Sequence, residues 1–242
     1  MSRRIPSTDS VNKATNETDR KETPHEKQAR LLATQNGHFT MIRALHLADL
    51  ITELNGFCGI MSIFSSLRYV QGPSTEYGYL WAALAFMPFG LFFDFMDGKV
   101  ARWRGKSSML GQELDSLADL ISFGVAPAVC AFSMGLQTTV DTLLLTFFVL
   151  SGLTRLARFN VTVTHLPKDA TGKSKYFEGT PIPTSLSIAG AMAFWVQRGW
   201  VHDALPFGVV NQGGLLAFHP IAGVFALWGC MMVSKSIKIP KL

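Results

Sequence analysis

Polar residues fill the chain from Met1 to about Thr40, and beyond that point it turns apolar in long blocks. A hydrocarbon core about 30 Å thick takes roughly 20 apolar helical residues to cross. The blocks predict six spans: Leu50–Tyr69, Tyr79–Lys99, Met109–Met134, Thr139–Asn160, Pro183–Gln197 and Gly214–Val233. The fifth is short for a crossing. The predicted fold class is an all-α polytopic membrane protein with six transmembrane helices. Ahead of the first span, HFTMIRALHLADLI (His38–Ile51) places apolar residues near helical spacing, with Arg43, His46 and Asp49 between them. That pattern predicts an amphipathic helix lying in the membrane interface. The domain reading is a tail over 1–37 and a membrane domain over 38–242.

Composition sharpens the division. Hydrophobic residues make up 48% of the 242, yet Met1–Arg30 is rich in Ser, Thr, Asn, Lys and Glu and has almost no large apolar side chain. Such a segment cannot bury enough surface to order itself, so it reads as a disordered basic cytosolic tail. It lacks the apolar core of a signal peptide. Asp9, Glu17, Asp19, Glu22 and Glu26 argue against a mitochondrial presequence. The three cysteines, Cys58, Cys130 and Cys230, fall inside predicted spans without a shared short spacing. They read as buried thiols rather than a disulfide or a metal site.

Charge orients the spans. Ser74–Gly78 and Gly135–Thr138 carry no Lys or Arg. The alternate spacers are basic: Lys99, Arg102, Arg104 and Lys106; then Arg155, Arg158, Lys168, Lys173 and Lys175; then Lys235, Lys238 and Lys241. Basic spacers stay on the cytosolic side. Tail, alternate loops and C-terminus then share that side, which an even number of spans satisfies. The net charge of +5 follows from this bias. It is spread over loops between spans and so does not form a nucleic-acid surface.

The chemistry sits in FFDFMDGKVARWRGKSSMLGQELDSLADL, Phe92–Leu120. Asp94, Asp97 and Ala101 are spaced three and then four apart, so they share a helical face, beside Gly98. Gly111, Asp115 and Asp119 follow at spacing four and form a second such face. An antiparallel hairpin with a short basic linker brings all four carboxylates together near the cytosolic surface. Alone, they would repel strongly. Donors that are all oxygen, without His or Cys, point to hard cations, Mg²⁺ or Mn²⁺. Two such ions balance four carboxylates and can grip substrate phosphates, the arrangement for in-line displacement at phosphorus. Small residues on the same faces leave room for a nucleotide. A competing reading pairs these carboxylates with Lys99, Arg102 and Arg104 as helix-end ion pairs.

The segment reads Asp94-x2-Asp97-Gly98-x2-Ala101-Arg102-x8-Gly111-x3-Asp115-x3-Asp119. It resembles the signature of the CDP-alcohol phosphotransferase family at every fixed position. The resemblance implies that Asp94, Asp97, Asp115 and Asp119 hold two divalent cations. It also implies that Asp119 is the catalytic base, and that Gly98, Ala101, Arg102 and Gly111 border the CDP moiety. Six spans and a homodimer or higher homo-oligomer are implied as well.

Three further stretches look like the phosphatidylserine synthase branch: SFGVAPA (Ser122–Ala128), SGLTRLARFN (Ser151–Asn160) and YFEGTPIPTS (Tyr176–Ser185). ADLITELNGFCG (Ala48–Gly59) looks like its fungal, endoplasmic-reticulum members. The implied reaction transfers a phosphatidyl group from CDP-diacylglycerol to L-serine, at an active site facing the cytosol. Arg155 and Arg158 can fork onto a carboxylate or a phosphate. Phe159 can face the serine ammonium, and Glu178 can oppose it. The same residues also suit topology signals and a lipid contact. Asn55 reads as an interhelical hydrogen bond. Two other functions compete. The same reaction with inositol or glycerol 3-phosphate is the nearer; an acceptor phosphate would call for a further basic cluster. A divalent-cation transporter is the remoter, and it would carry acidic residues at mid-membrane depth on repeated halves. No internal repeat is evident.

Overall fold

The computed structural model describes residues 47–73, 75–104, 109–165, 176–211, 214, 216–234 and 238–240. The chain divides into Met1–Ala44 and Leu45–Leu242, and every described residue belongs to the second unit. The expected tail, residues 38–46 of the expected interfacial helix, and Lys106, Lys168, Lys173, Lys175, Lys235 and Lys241 lie outside the described residues.

Helix α1 is Leu47–Gln71, α2 is Gly78–Arg104 and α3 is Met109–Asp119. A π-helical turn, Leu120–Val125, joins α3 to α4, Ala126–Ser133. Helix α5 is Thr139–His165. After β1, Tyr176–Glu178, a 3₁₀ turn at Ile182–Ser185 leads into α6, Leu186–Gln197. Helix α7 is Gly223–Val233, and β2, Lys238–Pro240, pairs antiparallel with β1. Among the described residues, four helices are long and apolar enough to cross a membrane: Leu47–Gln71, Gly78–Trp103, Leu110–Ser133 and Thr139–Val161.

Helix α1 inverts the pattern of a soluble amphipathic helix. Thr52, Asn55, Gly56, Gly59, Ser62 and Ser66 are buried, while Leu50, Leu54, Phe57, Ile60 and Phe64 face outward. Lipid rewards neither face by a hydrophobic effect, so small and polar residues mark the packed side. Gly59 is required by contact: a Cβ there would stand 2.6 Å from Ser122 Oγ and 2.9 Å from Ser122 Cα. The Ser122 hydroxyl donates to the Asn55 carbonyl at 2.8 Å. The Ser62 hydroxyl donates to the Ala83 carbonyl at 2.8 Å, next to the turn loosened by Pro88 inside α2.

The π turn has an identifiable cause. Pro127 carries no N–H and cannot bond the Phe123 carbonyl four residues back. The helix widens, so that the Ala126 N–H reaches the Ile121 carbonyl, and the Ser185 hydroxyl donates to the Phe123 carbonyl at 2.6 Å. Beside it, Ile182 fills space left by Gly152 of α5, where a Cβ would meet Ile182 Cδ1 at 2.8 Å.

At the opposite end from the aspartates, Tyr69 stacks on His202 with ring centroids 5.7 Å apart. The His202 N–H donates to the Met134 carbonyl at 2.7 Å. The last apolar helix is shorter than Gly214–Val233. Its regular part begins with a 3₁₀ turn at Pro220–Ala222. His219 precedes a proline and stays extended, and its N–H is held by Asp141 Oδ1 at 2.9 Å. Val210 and Phe218 instead form an isolated antiparallel bridge.

Candidate active site

Asp94 and Asp97 lie on α2, and Asp115 and Asp119 on α3, as the spacing predicts. One carboxylate oxygen from each of Asp94, Asp97 and Asp115 falls within 4.8 Å of the other two. Asp94 and Asp115 are close enough to interact electrostatically. Asp119, one turn beyond Asp115, is 8% exposed and within electrostatic range of the other three.

Helix α1 adds a row of donors behind these carboxylates. Thr52 Oγ1 donates to Asp97 Oδ2 at 2.5 Å, and Asn55 Nδ2 donates to Asp119 Oδ1 at 3.0 Å. Asn55 is fully buried, and Gly90 makes room for it: a Cβ at Gly90 would stand 2.9 Å from Asn55 Oδ1. Thr52 is the contact that sequence reasoning missed; it stands three residues before Asn55 on one face of α1. Asp49, also buried, stands within electrostatic range of Asp97.

The cations named as ion-pair partners turn elsewhere. Lys99 Nζ sits 4.4 Å from the centre of the Phe95 ring, and Arg102 Nε donates to the Gly98 carbonyl at 2.9 Å. Arg104 is described only in its backbone. Gly98, Ala101 and Gly111 are half-buried near the aspartates in sequence, and Arg102 is exposed. On α5, Arg155 is largely enclosed, with Nε buried and without a hydrogen-bond partner among the described residues. It lies within electrostatic range of Asp119, and its Cζ is 5.9 Å from the centre of the Phe159 ring. Phe159 is exposed and Arg158 half-buried. Asn160 ties this end of α5 to α3: it accepts from the Ser116 hydroxyl at 3.2 Å and donates to Glu113 at 3.2 Å. Glu178 is described as backbone in β1, opposite Lys238.

Residues 45–231 match the model of the CDP-alcohol phosphatidyltransferase family. The chain belongs to that family.

Relatives agree with the assignment. The chain is 54% identical over 219 residues to the CDP-diacylglycerol–serine O-phosphatidyltransferase of Saccharomyces cerevisiae, covering 90% of this chain and 79% of that protein. It is 37% identical over 140 residues to the enzyme of the same name from Bacillus subtilis, covering 57% of this chain and 70% of the other. It is 38% identical over 142 residues to the archaetidylserine synthase of Methanothermobacter thermautotrophicus, covering 57% and 54%.

CDP-alcohol phosphatidyltransferases use divalent metal ions, and the aspartate cluster suits one. Its donors are all carboxylate oxygens, as hard cations require. Asp115 Oδ1 is buried with no hydrogen-bond partner among the described residues. An acceptor left bare in that way costs free energy unless something positive meets it.

Proposed function

We propose that this protein transfers the phosphatidyl group of CDP-diacylglycerol to the hydroxyl of L-serine, giving phosphatidylserine and CMP. The observation that carries the chemistry is the convergence of Asp94, Asp97 and Asp115 from two helices. The acceptor follows from the relatives: serine appears in the names of both the diacylglycerol and the archaeal enzymes, while the lipid differs. Inositol and glycerol 3-phosphate have no such support, and neither does cation transport.

In this reading Asp94, Asp97, Asp115 and Asp119 would hold two divalent cations, Mg²⁺ or Mn²⁺, which supply charge neutralisation on the diphosphate. Asp119 has one oxygen occupied by Asn55. Its other oxygen takes the proton of the serine hydroxyl as that oxygen attacks the β-phosphorus. The phosphorus–oxygen bond to CMP breaks in line, and CMP departs. Gly98, Ala101, Arg102 and Gly111 border the cytidine diphosphate. Arg155 has a buried guanidinium nitrogen with no hydrogen-bond partner among the described residues and lies within electrostatic range of Asp119, and so suits an anionic group, the serine carboxylate or the lipid diphosphate. Arg158, Phe159 and Glu178 complete the serine side. Holding a membrane-anchored lipid and a soluble amino acid in line is itself a large part of the rate gain.

The proposed setting is the endoplasmic-reticulum membrane, with six spans, the shorter α6 and α7 segments supplying the last two. A disordered tail over 1–37, a membrane domain over 38–242, a site facing the cytosol and a homodimer or higher homo-oligomer complete it. Single cysteines placed in 105–107 and 168–175 should react with a thiol label from the cytosolic side; labelling of 168–175 only from the lumen would overturn the topology. For the reaction, purified protein receives CDP-diacylglycerol with serine, inositol or glycerol 3-phosphate in separate assays. CMP should appear with serine; CMP with inositol alone would overturn the acceptor.

A further inference from the structure

We infer that Thr52 and Asn55 are positioning residues, each occupying one oxygen of an aspartate so that the other oxygen faces the metal and the substrate. The inference rests on the reading that the aspartates hold divalent cations.

Thr52 and Asn55 stand three residues apart on α1, on one face, yet they serve two different helices. Thr52 reaches Asp97 on α2, and Asn55 reaches Asp119 on α3. All four side chains are buried: 3% and 0% exposed for the donors, 6% and 8% for the acceptors. The Thr52 hydroxyl also lies 3.2 Å from the Ala48 carbonyl of its own helix. It has one proton to give, and the 2.5 Å approach to Asp97 takes it. An ionised Asp119 accepts only, so the amide nitrogen of Asn55 must be the group that faces it.

The other end of Asn55 separates this role from plain packing. Asn55 Oδ1 is buried and has no hydrogen-bond partner among the described residues. An asparagine kept only to join helices would satisfy both ends, because an unmet buried acceptor destabilises the fold. Here the cost is accepted at Oδ1 and the benefit lies at Nδ2, on Asp119. The backbone around it is held firmly. Ser122, three residues past Asp119, donates to the Asn55 carbonyl, and Gly59 lets Ser122 approach. Donor and acceptor therefore sit on two elements locked to each other. Partners of this kind fix the direction of a ligand's lone pairs, and their loss weakens metal binding by about 10–100-fold.

The test uses the purified full chain in detergent, with Mn²⁺ as the probe. Bound Mn²⁺ is read from the loss of the free-ion electron paramagnetic resonance signal, and CMP release is measured in parallel. Thr52→Val and Asn55→Leu should each weaken Mn²⁺ binding by about tenfold or more, and Thr52→Ser should bind like the wild type. The thermal midpoint of Asn55→Leu should stay near that of the wild type, since the change removes one unmet acceptor, Asn55 Oδ1, and leaves another, Asp119 Oδ1. This arm keeps the test decisive if Thr52→Val loses its fold. Wild-type Mn²⁺ affinity in both substituted proteins overturns the inference and leaves the metal reading standing. A Thr52→Ser protein as weak as Thr52→Val overturns it too, because the hydroxyl is then not the cause. A wild-type protein that binds no Mn²⁺ overturns the metal reading and the inference with it.

Discussion

Asp141 and His219 are 78 residues apart in the chain, and Asp141 Oδ2 lies 2.6 Å from His219 Nδ1. Both are buried. The same carboxylate takes the backbone N–H of His219 through Oδ1, and Thr138 N–H donates to Oδ2 at 3.2 Å. In return the Asp141 N–H donates to Thr138 Oγ1 at 3.2 Å, a reciprocal cap on the start of α5. One side chain thus fastens the beginning of α5 to the strand-like entry into α7. Asp141→Ala should lower the stability of the detergent-solubilised protein by about 3 kcal/mol, since it leaves buried donors unmet. Arg155 lies about four turns further along α5, so Mn²⁺ affinity at low temperature should be unchanged. A thermal midpoint equal to the wild type would remove this tie from the account of stability.

Chelation addresses the aspartate cluster directly. EDTA should abolish CMP release, and added Mg²⁺ or Mn²⁺ should restore it. The donors are carboxylates alone, so Zn²⁺, which favours nitrogen and sulfur ligands, should restore it poorly. Full turnover in a metal-stripped preparation would sink the two-cation reading.

Asp119→Asn keeps the shape of the side chain and loses both the base and a charge. CMP release should fall by at least about 10²-fold, the lower bound for a positioned base. The fold should survive, which a thermal scan will report. Turnover within a few-fold of the wild type would reassign the base.

Arg155 and Arg158 separate the two substrates. If Arg155 holds the serine carboxylate, Arg155→Ala should raise the KM for serine and leave that for CDP-diacylglycerol nearly unchanged, the signature of lost binding to one substrate. If it holds the diphosphate, the two effects exchange. Arg158→Ala should give the smaller change, because the bare buried nitrogen belongs to Arg155. Wild-type kinetics in both variants would reduce these arginines to topology signals.

Much of this arrangement was legible in the residues, for reasons that differ by element. Hydropathy located the first four spans to within a few residues, because a helix in lipid must be apolar over its length whatever it packs against. The carboxylates of Asp94, Asp97 and Asp115 were legible because spacings of three and four on a hairpin leave few other places for them. The end of the chain was less so. Gly214–Phe218 is apolar enough to read as helix, yet Pro220 and the pull of Asp141 on the His219 N–H keep its last turn open. Pairing between residues so distant in sequence leaves no local pattern. Thr52 was hidden for the opposite reason: a threonine within an apolar run looks like ordinary helix packing until the helix it faces is known. The tail and the loop carrying Lys168–Lys175 lie outside the described residues.

The π turn at Leu120–Val125 carries a geometric consequence for the third span. An α-helix advances 100° per residue, so one residue accommodated in a wider turn shifts the phase of everything beyond it. The side of α3 that presents Asp115 and Asp119 and the side of α4 that buries Ala128, Cys130 and Ala131 are therefore set by two separate clocks. The end that carries the aspartates can keep its angular setting while the far end is re-cut to suit other neighbours or a different bilayer. Removing one residue from the turn would couple the two clocks again, and every side chain from Pro127 to Ser133 would swing by more than a quarter of a revolution.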